Sequence, residues 1–155
     1  MGDALNKRLR MSSSTDSSQE AVLNLLVASG DLRARIDMLC EQHGISGAQY
    51  NVLRILRGAK DEGYARCEIA QRLIERAPDV TRLIDRLEQR EFVERGRSSE
   101  DRRRSVTRIT AQGMRLLDTM EPLLKEANGW IEERLSLKER KELSRILEKL
   151  YSNED

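Results

Sequence analysis

The sequence predicts a mainly α-helical fold that carries one short β-hairpin. Apolar residues recur every three or four positions over most of the chain, as they do along one face of a helix. Two short runs of strand-like composition, at residues 92–99 and 104–110, flank a charged loop. Aromatic residues make up only 3% of the chain, so the core must be aliphatic. A length of 155 residues fits one domain, which we expect to span residues 19–152.

The first 18 residues are predicted to form a disordered arm. The segment "MSSSTDSSQ" is rich in serine and threonine and offers almost nothing apolar to bury. Lys7, Arg8 and Arg10 make the arm basic, so it either contacts nucleic acid or is an idle tail, and we favour the tail. No apolar run follows these cations, and none approaches the roughly 18 residues of a membrane span. We therefore expect a cytoplasmic protein with no membrane partner.

Two helices are predicted in the segment before residue 60. Apolar side chains recur at helical spacing from Glu20 to His43, and Gly44 is placed to end that helix. Ser46 is a candidate N-cap for a second helix, whose apolar face comes from "ISGAQYNVLRIL". The stretch "GAKDEGY", residues 58–64, then predicts a turn.

The next two predicted helices are short and adjacent, as in a helix-turn-helix. Apolar spacing predicts the first over about residues 66–74. Pro78 suits a first helical position, so the second is expected to run from Pro78 to about Arg90. Its apolar face holds Val80, Leu83, Ile84 and Leu87. Its polar face holds Thr81, Arg82, Asp85, Arg86 and Gln89, side chains of the kind that contact bases and phosphates. A polar outer face is also common to any surface helix.

The charged loop belongs to an arginine-rich region. The net charge is only +1, but residues 66–110 hold 12 arginines, no lysine and 9 acidic residues. The planar guanidinium fork binds phosphate or guanine through two hydrogen bonds, which lysine cannot do. The stretch "GRSSEDRRRSVTRIT" is therefore either a solvated turn or a loop that contacts phosphate, and a genome rich in arginine codons would also produce the bias. Its place directly after a helix pair favours a winged helix, with arginine available for a minor groove.

Long amphipathic helices are predicted at the C-terminal end as well. One covers about residues 111–135, with Pro122 predicting a kink or an interruption. Ser136 is placed to cap the last helix, which has Leu143, Ile146, Leu147 and Leu150 on one face. Helices over about residues 19–43 and 111–152 in so lean a chain predict dimerisation with a second copy.

The order of elements and two motifs resemble the MarR family of bacterial transcription regulators. The family's wing motif runs Asp-x-Arg, five residues, then Ile/Leu-Thr-x-x-Gly. Asp101, Arg103, Ile109, Thr110 and Gly113 match it at that spacing. The stretches "EIAQRL" and "VTRLIDRLEQREFVER" resemble the first helix of the family's helix-turn-helix and its recognition helix with the first wing strand. The resemblance covers roughly residues 20–152 and implies a winged helix-turn-helix over about residues 46–110, between dimerisation helices.

The resemblance also implies a function and a set of contacts. We expect a sequence-specific regulator that binds a pseudo-palindromic operator in double-stranded DNA as a homodimer, acting as a repressor that a small ligand or an oxidant releases. Arg103 is then the wing arginine, and Asp101 orients it through an ion pair. Asp79 is expected either to contact DNA or simply to cap its helix. The implied DNA-binding residues are Asp79, Thr81, Arg82, Arg86, Arg97, Ser98, Asp101, Arg102, Arg103 and Arg104.

The sequence does not determine the signal to which the protein responds. Family members respond to small lipophilic or phenolic effectors, and Tyr50, Met120 and Trp130 either line such a pocket or belong to the core. Cys67, near a helix N-terminus between two arginines, is a candidate redox residue, with an inert thiol as the alternative. One histidine and two distant cysteines give no metal site or cofactor.

Two other classes of protein compete with a DNA-binding regulator. An enzyme is not expected, because the sequence contains neither a nucleophile–base motif nor a phosphate-binding loop. A winged-helix adaptor that binds proteins and not DNA is the alternative function. Arginines on the wing and on the outer face of the second short helix argue against the adaptor, because binding a protein partner does not require them.

Overall fold

The computed structural model describes residues 3–11, 16–59, 61–77 and 79–152. The chain divides into two compact units, residues 1–38 and residues 39–155. The division falls within the first long helix. The sequence had predicted a single domain over residues 19–152. Among the described residues, no helix is long and apolar enough to span a membrane.

The first unit contains a helix where the sequence predicted a disordered arm. Helix α1 spans Asp3–Leu9, and α2, Ser17–Gln42, begins shortly after it. Leu5 is buried, and Arg8 forms a 2.8 Å ion pair with Asp31 of α2. The prediction rested on the serine-rich stretch and gave no weight to the apolar side chain at position 5. Residues 12–15, the centre of that stretch, lie outside the described part of the chain.

The second unit is organised around helix α3, Gly47–Gly58. Ser46 caps this helix as predicted: its hydroxyl accepts the N–H of Gln49, and the Gln49 side chain accepts the N–H of Ser46. The other helices of this unit are α4, Arg66–Arg72, α5, Val80–Gln89, α6, Ala111–Glu132, and α7, Leu137–Tyr151. Helix α3 contacts α4, α5 and α6. The fully buried aliphatic side chains include Leu53, Leu56, Ile69, Ile84, Leu87 and Leu117.

The helix-turn-helix formed by α4 and α5 has a longer connection than the sequence predicted. Helix α4 ends at Arg72, because Leu73 is already extended. The Asn51 side chain on α3 accepts the N–H of Ile74 at 2.9 Å and fixes the connection. Helix α5 begins at Val80 and not at residue 78, because Asp79 has non-helical dihedral angles and acts as the N-cap. The conformation of Pro78 lies outside the described residues.

The predicted hairpin is present and is attached to a third segment. Strand β1, Val93–Arg97, pairs antiparallel with β2, Ser105–Ile109. On the other edge of β2, Thr107 exchanges two backbone hydrogen bonds with Tyr64, at 2.9 and 3.0 Å. Gly63 makes this approach possible: its φ is +72°, and a Cβ there would lie 2.5 Å from the Thr107 carbonyl oxygen. The stretch predicted only as a turn therefore fixes the hairpin, which we call the wing, on α3 and α4.

Thr110 alone separates β2 from α6. Its N–H donates to the Phe92 carbonyl at 3.0 Å and its hydroxyl donates to the Glu91 carbonyl at 2.6 Å. The same hydroxyl accepts the N–H of Gly113 at 3.1 Å and so caps α6. Gly113 is buried, and a Cβ there would collide with the Phe92 carbonyl oxygen. These contacts explain why a threonine and a glycine occur three residues apart at this junction.

Two glycines of α6 are expected to respond to alanine with opposite signs. Gly113→Ala should lower the free energy of unfolding by about 1–3 kcal/mol, because the new methyl group meets backbone that cannot move away. Gly129→Ala should raise it by up to about 1 kcal/mol, because its Cβ would meet nothing and alanine favours the helix. Urea denaturation of the two variants measures both changes. Equal effects of the two substitutions would contradict the close approach at Gly113.

The C-terminal helices carry apolar surface that this chain leaves uncovered. Helix α6 continues through Pro122, so of the two expected outcomes, a kink or an interruption, the interruption does not occur. Ser136 caps α7 as predicted, with the Glu139 side chain completing the capping box. No residue of α7 is buried, and Leu143, Ile146 and Leu150 are 41%, 46% and 68% exposed.

Candidate nucleic-acid interface

Helix α5 presents a charged outer face opposite a buried inner one. Val80, Ile84 and Leu87 are buried against the rest of the second unit, as the spacing predicted. Arg82 and Arg86 are exposed on the outer face. Neither guanidinium group makes an ion pair or a hydrogen bond with any described residue, so both are available to an external anion.

The two residues at the start of α5 make contacts within the protein. The Asp79 carboxylate accepts the N–H of Arg82 at 2.9 Å, so the capping role is the one present in this structure. Thr81 is exposed, and its hydroxyl accepts a 3.5 Å hydrogen bond from Arg66 of α4. Asp79 therefore stabilises the helix N-terminus, where a negative charge also complements the helix dipole.

Helix α5 is joined to the wing by an ion-pair network that the sequence analysis missed. Arg95 of β1 forms ion pairs with both Asp85 and Glu88 of α5. The hydrogen bond with Asp85, with help from the charge of Glu88, raises the pKa of Arg95 above its ordinary value. Asp85 thus faces β1, although the helical spacing had placed it with the outward polar residues. Two acids three residues apart, followed by an arginine in the next strand, were the available signal.

The wing tip, residues 98–104, is a hydrogen-bonded turn. Ser98 is buried, not exposed for DNA as predicted, and its N–H donates to the Arg104 carbonyl at 2.9 Å. Its hydroxyl accepts the N–H groups of Glu100 and Asp101, at 3.3 and 3.4 Å. A small polar residue facing inward can satisfy these donors, so Ser98 shapes the turn from inside.

Asp101 orients Arg103 through the backbone and not through the predicted ion pair. Its carboxylate accepts the Arg103 N–H at 2.9 Å, and its carbonyl accepts the Arg104 N–H at the same distance. The carbonyl of Arg103 in turn accepts a 3.3 Å hydrogen bond from the Arg97 guanidinium. Arg102 and Arg103 therefore occupy the two central positions of a closed turn. Their guanidinium groups are exposed and have no partner among the described residues.

Arg104 was among the implied DNA-binding residues but is paired within the protein. It forms an ion pair with Glu68 of α4. The Glu68 carboxylate also accepts the N–H of Ala65 at 2.8 Å, at the start of α4. The backbone hydrogen bond from Ala65, followed by the one from Arg104, lowers the pKa of Glu68 below its ordinary value. Glu68 thus stays ionised and anchors one end of the wing tip.

One further arginine belongs with the exposed cations. Arg76 lies in the connection between α4 and α5, is exposed, and has no partner among the described residues. Apolar periodicity gave no reason to expect it there, because Arg76 lies outside both periodic segments. The unpaired cations of this region therefore lie on the α4–α5 connection, on the outer face of α5 and at the wing tip.

The residues predicted for a sensor are in different environments. Cys67 is exposed in the first turn of α4, and Cys40 is buried. Met120 is fully buried in the core, whereas Trp130 packs against Arg134, whose guanidinium carbon lies 4.8 Å from the ring centre. Tyr50 lines an open cleft of about 430 Å³ between α3 and α6. The other residues that line this cleft are Arg54, Arg57, Gly58, Leu117, Glu121, Leu124, Lys125 and Asn128.

The chain is similar to known proteins over nearly its whole length. The MarR family model matches residues 45–105, from just before the α3 cap to the first residue of β2. The HTH-type transcriptional regulator PrsX of Escherichia coli is 31% identical over 138 residues, which are 83% of this chain and 83% of PrsX.

Solved structures show the same fold. A MarR transcription factor from Planctomyces limnophilus is 37% identical, with a TM-score of 0.66 over 88% of this chain and 98% of that one. A MarR mutant from Escherichia coli in complex with operator DNA is 21% identical, with a TM-score of 0.74 over 90% and 100% of the two chains. CouR from Rhodococcus jostii RHA1, bound to p-coumaroyl-CoA, is 22% identical, with a TM-score of 0.75 over 92% and 100%. By its winged helix, its wing motif and these similarities, the chain belongs to the MarR family of winged-helix transcriptional regulators.

Proposed function

We propose that this protein is a sequence-specific regulator that places α5 in the major groove of double-stranded DNA and the wing tip on the neighbouring backbone or minor groove. The observation that carries the proposal is the division among its arginines. Arg95 and Arg104 are paired within the protein, whereas Arg82, Arg86, Arg102 and Arg103 are exposed on two adjacent elements and have no partner among the described residues. Arginine in a major groove binds guanine or phosphate through its fork, and a narrow minor groove attracts it electrostatically.

The protein is proposed to bind as a homodimer. Helix α7 exposes an apolar stripe, and Val22 and Leu26 of α2 are 56% and 62% exposed. Exposed apolar patches of this kind on soluble proteins mark interaction sites. A two-fold dimer presents two recognition helices and so reads two half-sites of a pseudo-palindrome. The operator complex of the Escherichia coli relative supports binding to operator DNA. We also propose a cytoplasmic location.

A salt titration against selected duplexes tests DNA binding. Duplexes are enriched from a random library with the full chain, and affinity for the best one is measured at several salt concentrations. Binding through several phosphates predicts a linear fall of log K with log[salt], with a slope of about −0.9 for each phosphate neutralised. If no duplex is enriched, the adaptor function gains and the DNA-binding proposal fails.

The release signal is proposed to be a small organic anion bound in the cleft between α3 and α6. Leu117, Leu124 and the Tyr50 ring supply apolar contacts. Three cations, Arg54, Arg57 and Lys125, outnumber the one carboxylate of the lining, Glu121, which lies 3.8 Å from Arg57 and 4.0 Å from Lys125. The Arg54 guanidinium lies 5.9 Å from the centre of the Tyr50 ring and donates to its hydroxyl at 3.1 Å. The expected effector is therefore an aromatic acid, more polar than the lipophilic or phenolic class that the resemblance implied. The ligand in the CouR structure, which joins an aromatic acyl group to an anionic carrier, supports a mixed apolar and anionic effector.

Benzoate is the simplest probe of this cleft. It should stabilise the fold by RT ln(1 + [benzoate]/Kd), raise the melting temperature by about 2–4 °C for each kcal/mol of that stabilisation, and weaken operator binding. Arg54→Met, which keeps the aliphatic stem, should remove both effects, and Arg115→Met on the exposed surface of α6 should keep them. A response to peroxide that Cys67→Ser abolishes, with none to benzoate, would assign the signal to the exposed thiol instead.

A further inference from the structure

The wing tip is held at both ends by carboxylates from the segment that precedes and opens α4. At one end the Ser99 hydroxyl donates to the Glu62 carboxylate at 2.9 Å. At the other end Arg104 pairs with Glu68. The stem between them is fixed by Arg108, which donates to the carbonyls of Asp61 and Arg97 at 2.6 and 2.8 Å. The wing is therefore attached at defined points to the α3–α4 connection and to the start of α4, in addition to its two strands.

The Glu68–Arg104 contact can fix the position of the wing tip relative to the start of α4. Because the Ala65 N–H also holds the Glu68 carboxylate, Arg104 is tied to a group that is fixed at the start of a helix. Arg104 is also the last residue of the closed turn whose central residues are Arg102 and Arg103. Fixing Arg104 in space therefore restricts where the two exposed guanidinium groups of the turn can lie.

A surface that only attracts phosphate is not expected to contain the negative charge of Glu68. A carboxylate on that surface repels DNA and also occupies an arginine that could otherwise bind it. A positioning role depends on the ion pair itself, so removing the charge of Glu68 should lower the DNA affinity. Simple attraction predicts the opposite, that removing this charge raises the affinity.

We propose that Glu68 and Arg104 are positioning residues for DNA binding, which set the orientation of the wing tip so that Arg102 and Arg103 meet the DNA. The inference rests on the proposed function, because it assumes that the wing contacts DNA. It assigns to Arg104 a role that acts through its neighbours and not through a phosphate of its own.

Glu68→Gln separates the two roles by the sign of its effect. Glutamine keeps the shape and can still accept the Ala65 N–H, but it removes the charge and weakens the pair with Arg104. A positioning role predicts that affinity for the selected duplex falls about 2- to 5-fold, the size expected of a partly exposed ion pair. Simple attraction predicts tighter binding, because a negative charge is lost and Arg104 is released.

Further variants complete the experiment. Glu94→Gln removes the same charge from an exposed residue of β1 and should leave affinity unchanged or slightly higher. Arg104→Lys keeps an ion pair with Glu68 and should restore most of the affinity that Arg104→Gln loses. In a background that carries both Arg102→Ala and Arg103→Ala, Glu68→Gln should have no weakening effect, because the residues through which it acts are gone.

The outcomes distinguish this inference from the function on which it rests. Tighter or unchanged binding of Glu68→Gln, with Arg104→Gln lowering the salt slope by about one phosphate, would make Arg104 a direct contact and overturn the positioning role. Absence of DNA binding by the unmodified chain would instead overturn the proposed function, and the inference with it. Urea denaturation of each variant confirms that the changes in affinity do not reflect unfolding.

Discussion

Alanine at both Arg82 and Arg86 is expected to abolish specific binding to the selected duplex at physiological salt. Each guanidinium is exposed on the outer face of α5 and unpaired among the described residues, so its full hydrogen-bonding capacity is available to DNA. Loss of one fork from a base or phosphate costs about 1–3 kcal/mol, so the double variant should bind about 100-fold more weakly or worse. Fluorescence anisotropy with the selected duplex and with a scrambled one measures the change.

The comparison of the two duplexes shows whether this pair of arginines contacts bases or phosphates. Loss at a base contact should reduce affinity for the selected duplex far more than for the scrambled one, whereas loss at a phosphate should reduce both equally. Lys141→Ala, which removes an exposed cation from α7, is the control and should change neither by more than about 2-fold. A double variant that binds like the unmodified chain would exclude α5 as the recognition helix.

Removal of residues 136–155 is expected to convert the protein into a monomer or an insoluble chain. Helix α7 has no buried residue in the single chain, yet it carries a row of leucine and isoleucine side chains. Each such side chain that a partner covers contributes about 1.5–3 kcal/mol to association. Sedimentation velocity measures the change in mass, and operator affinity should fall with it, because two half-sites are then bound separately.

A finer variant avoids the risk of insolubility. Leu143→Glu combined with Ile146→Glu places two charges on the apolar stripe of α7 and should give a folded monomer, because burying unpaired carboxylates is costly. Lys141→Glu changes the charge on the opposite face of the same helix and should leave the mass unchanged. A truncated chain that sediments as a folded dimer would exclude α7 from the interface.

Features set by neighbouring residues could be predicted from the sequence. Ser46 and Ser136 are caps because each is followed three residues later by a side chain that completes a capping box. The start of α5 shows where two such local rules compete. Proline at position 78 favoured a helix from that residue, but the Asp79 carboxylate satisfies the N–H of Arg82, and α5 begins after it.

Features that depend on distant residues could not be predicted. Among Arg102, Arg103 and Arg104 the wing motif distinguished only Arg103. The pairing of Arg104 depends on the position of Glu68, 36 residues earlier, and could not be predicted. The bridge between Tyr64 and Thr107 could not be predicted either, because a single residue has no strand-like pattern. Composition thus indicated that the region carries positive charge, and the fold decides which of its cations are already neutralised.

The junction at Thr110 has a mechanical consequence. Thr110 is the one residue between the second wing strand and α6. It is held by hydrogen bonds to the Glu91 and Phe92 carbonyls and to the N–H of Gly113, so the strand and the helix are rigidly connected. A rotation of α6 about its own axis must therefore carry the base of the hairpin with it. Strain imposed on that helix is therefore expected to reach the base of the wing as a torque, because there is no flexible linker to absorb it.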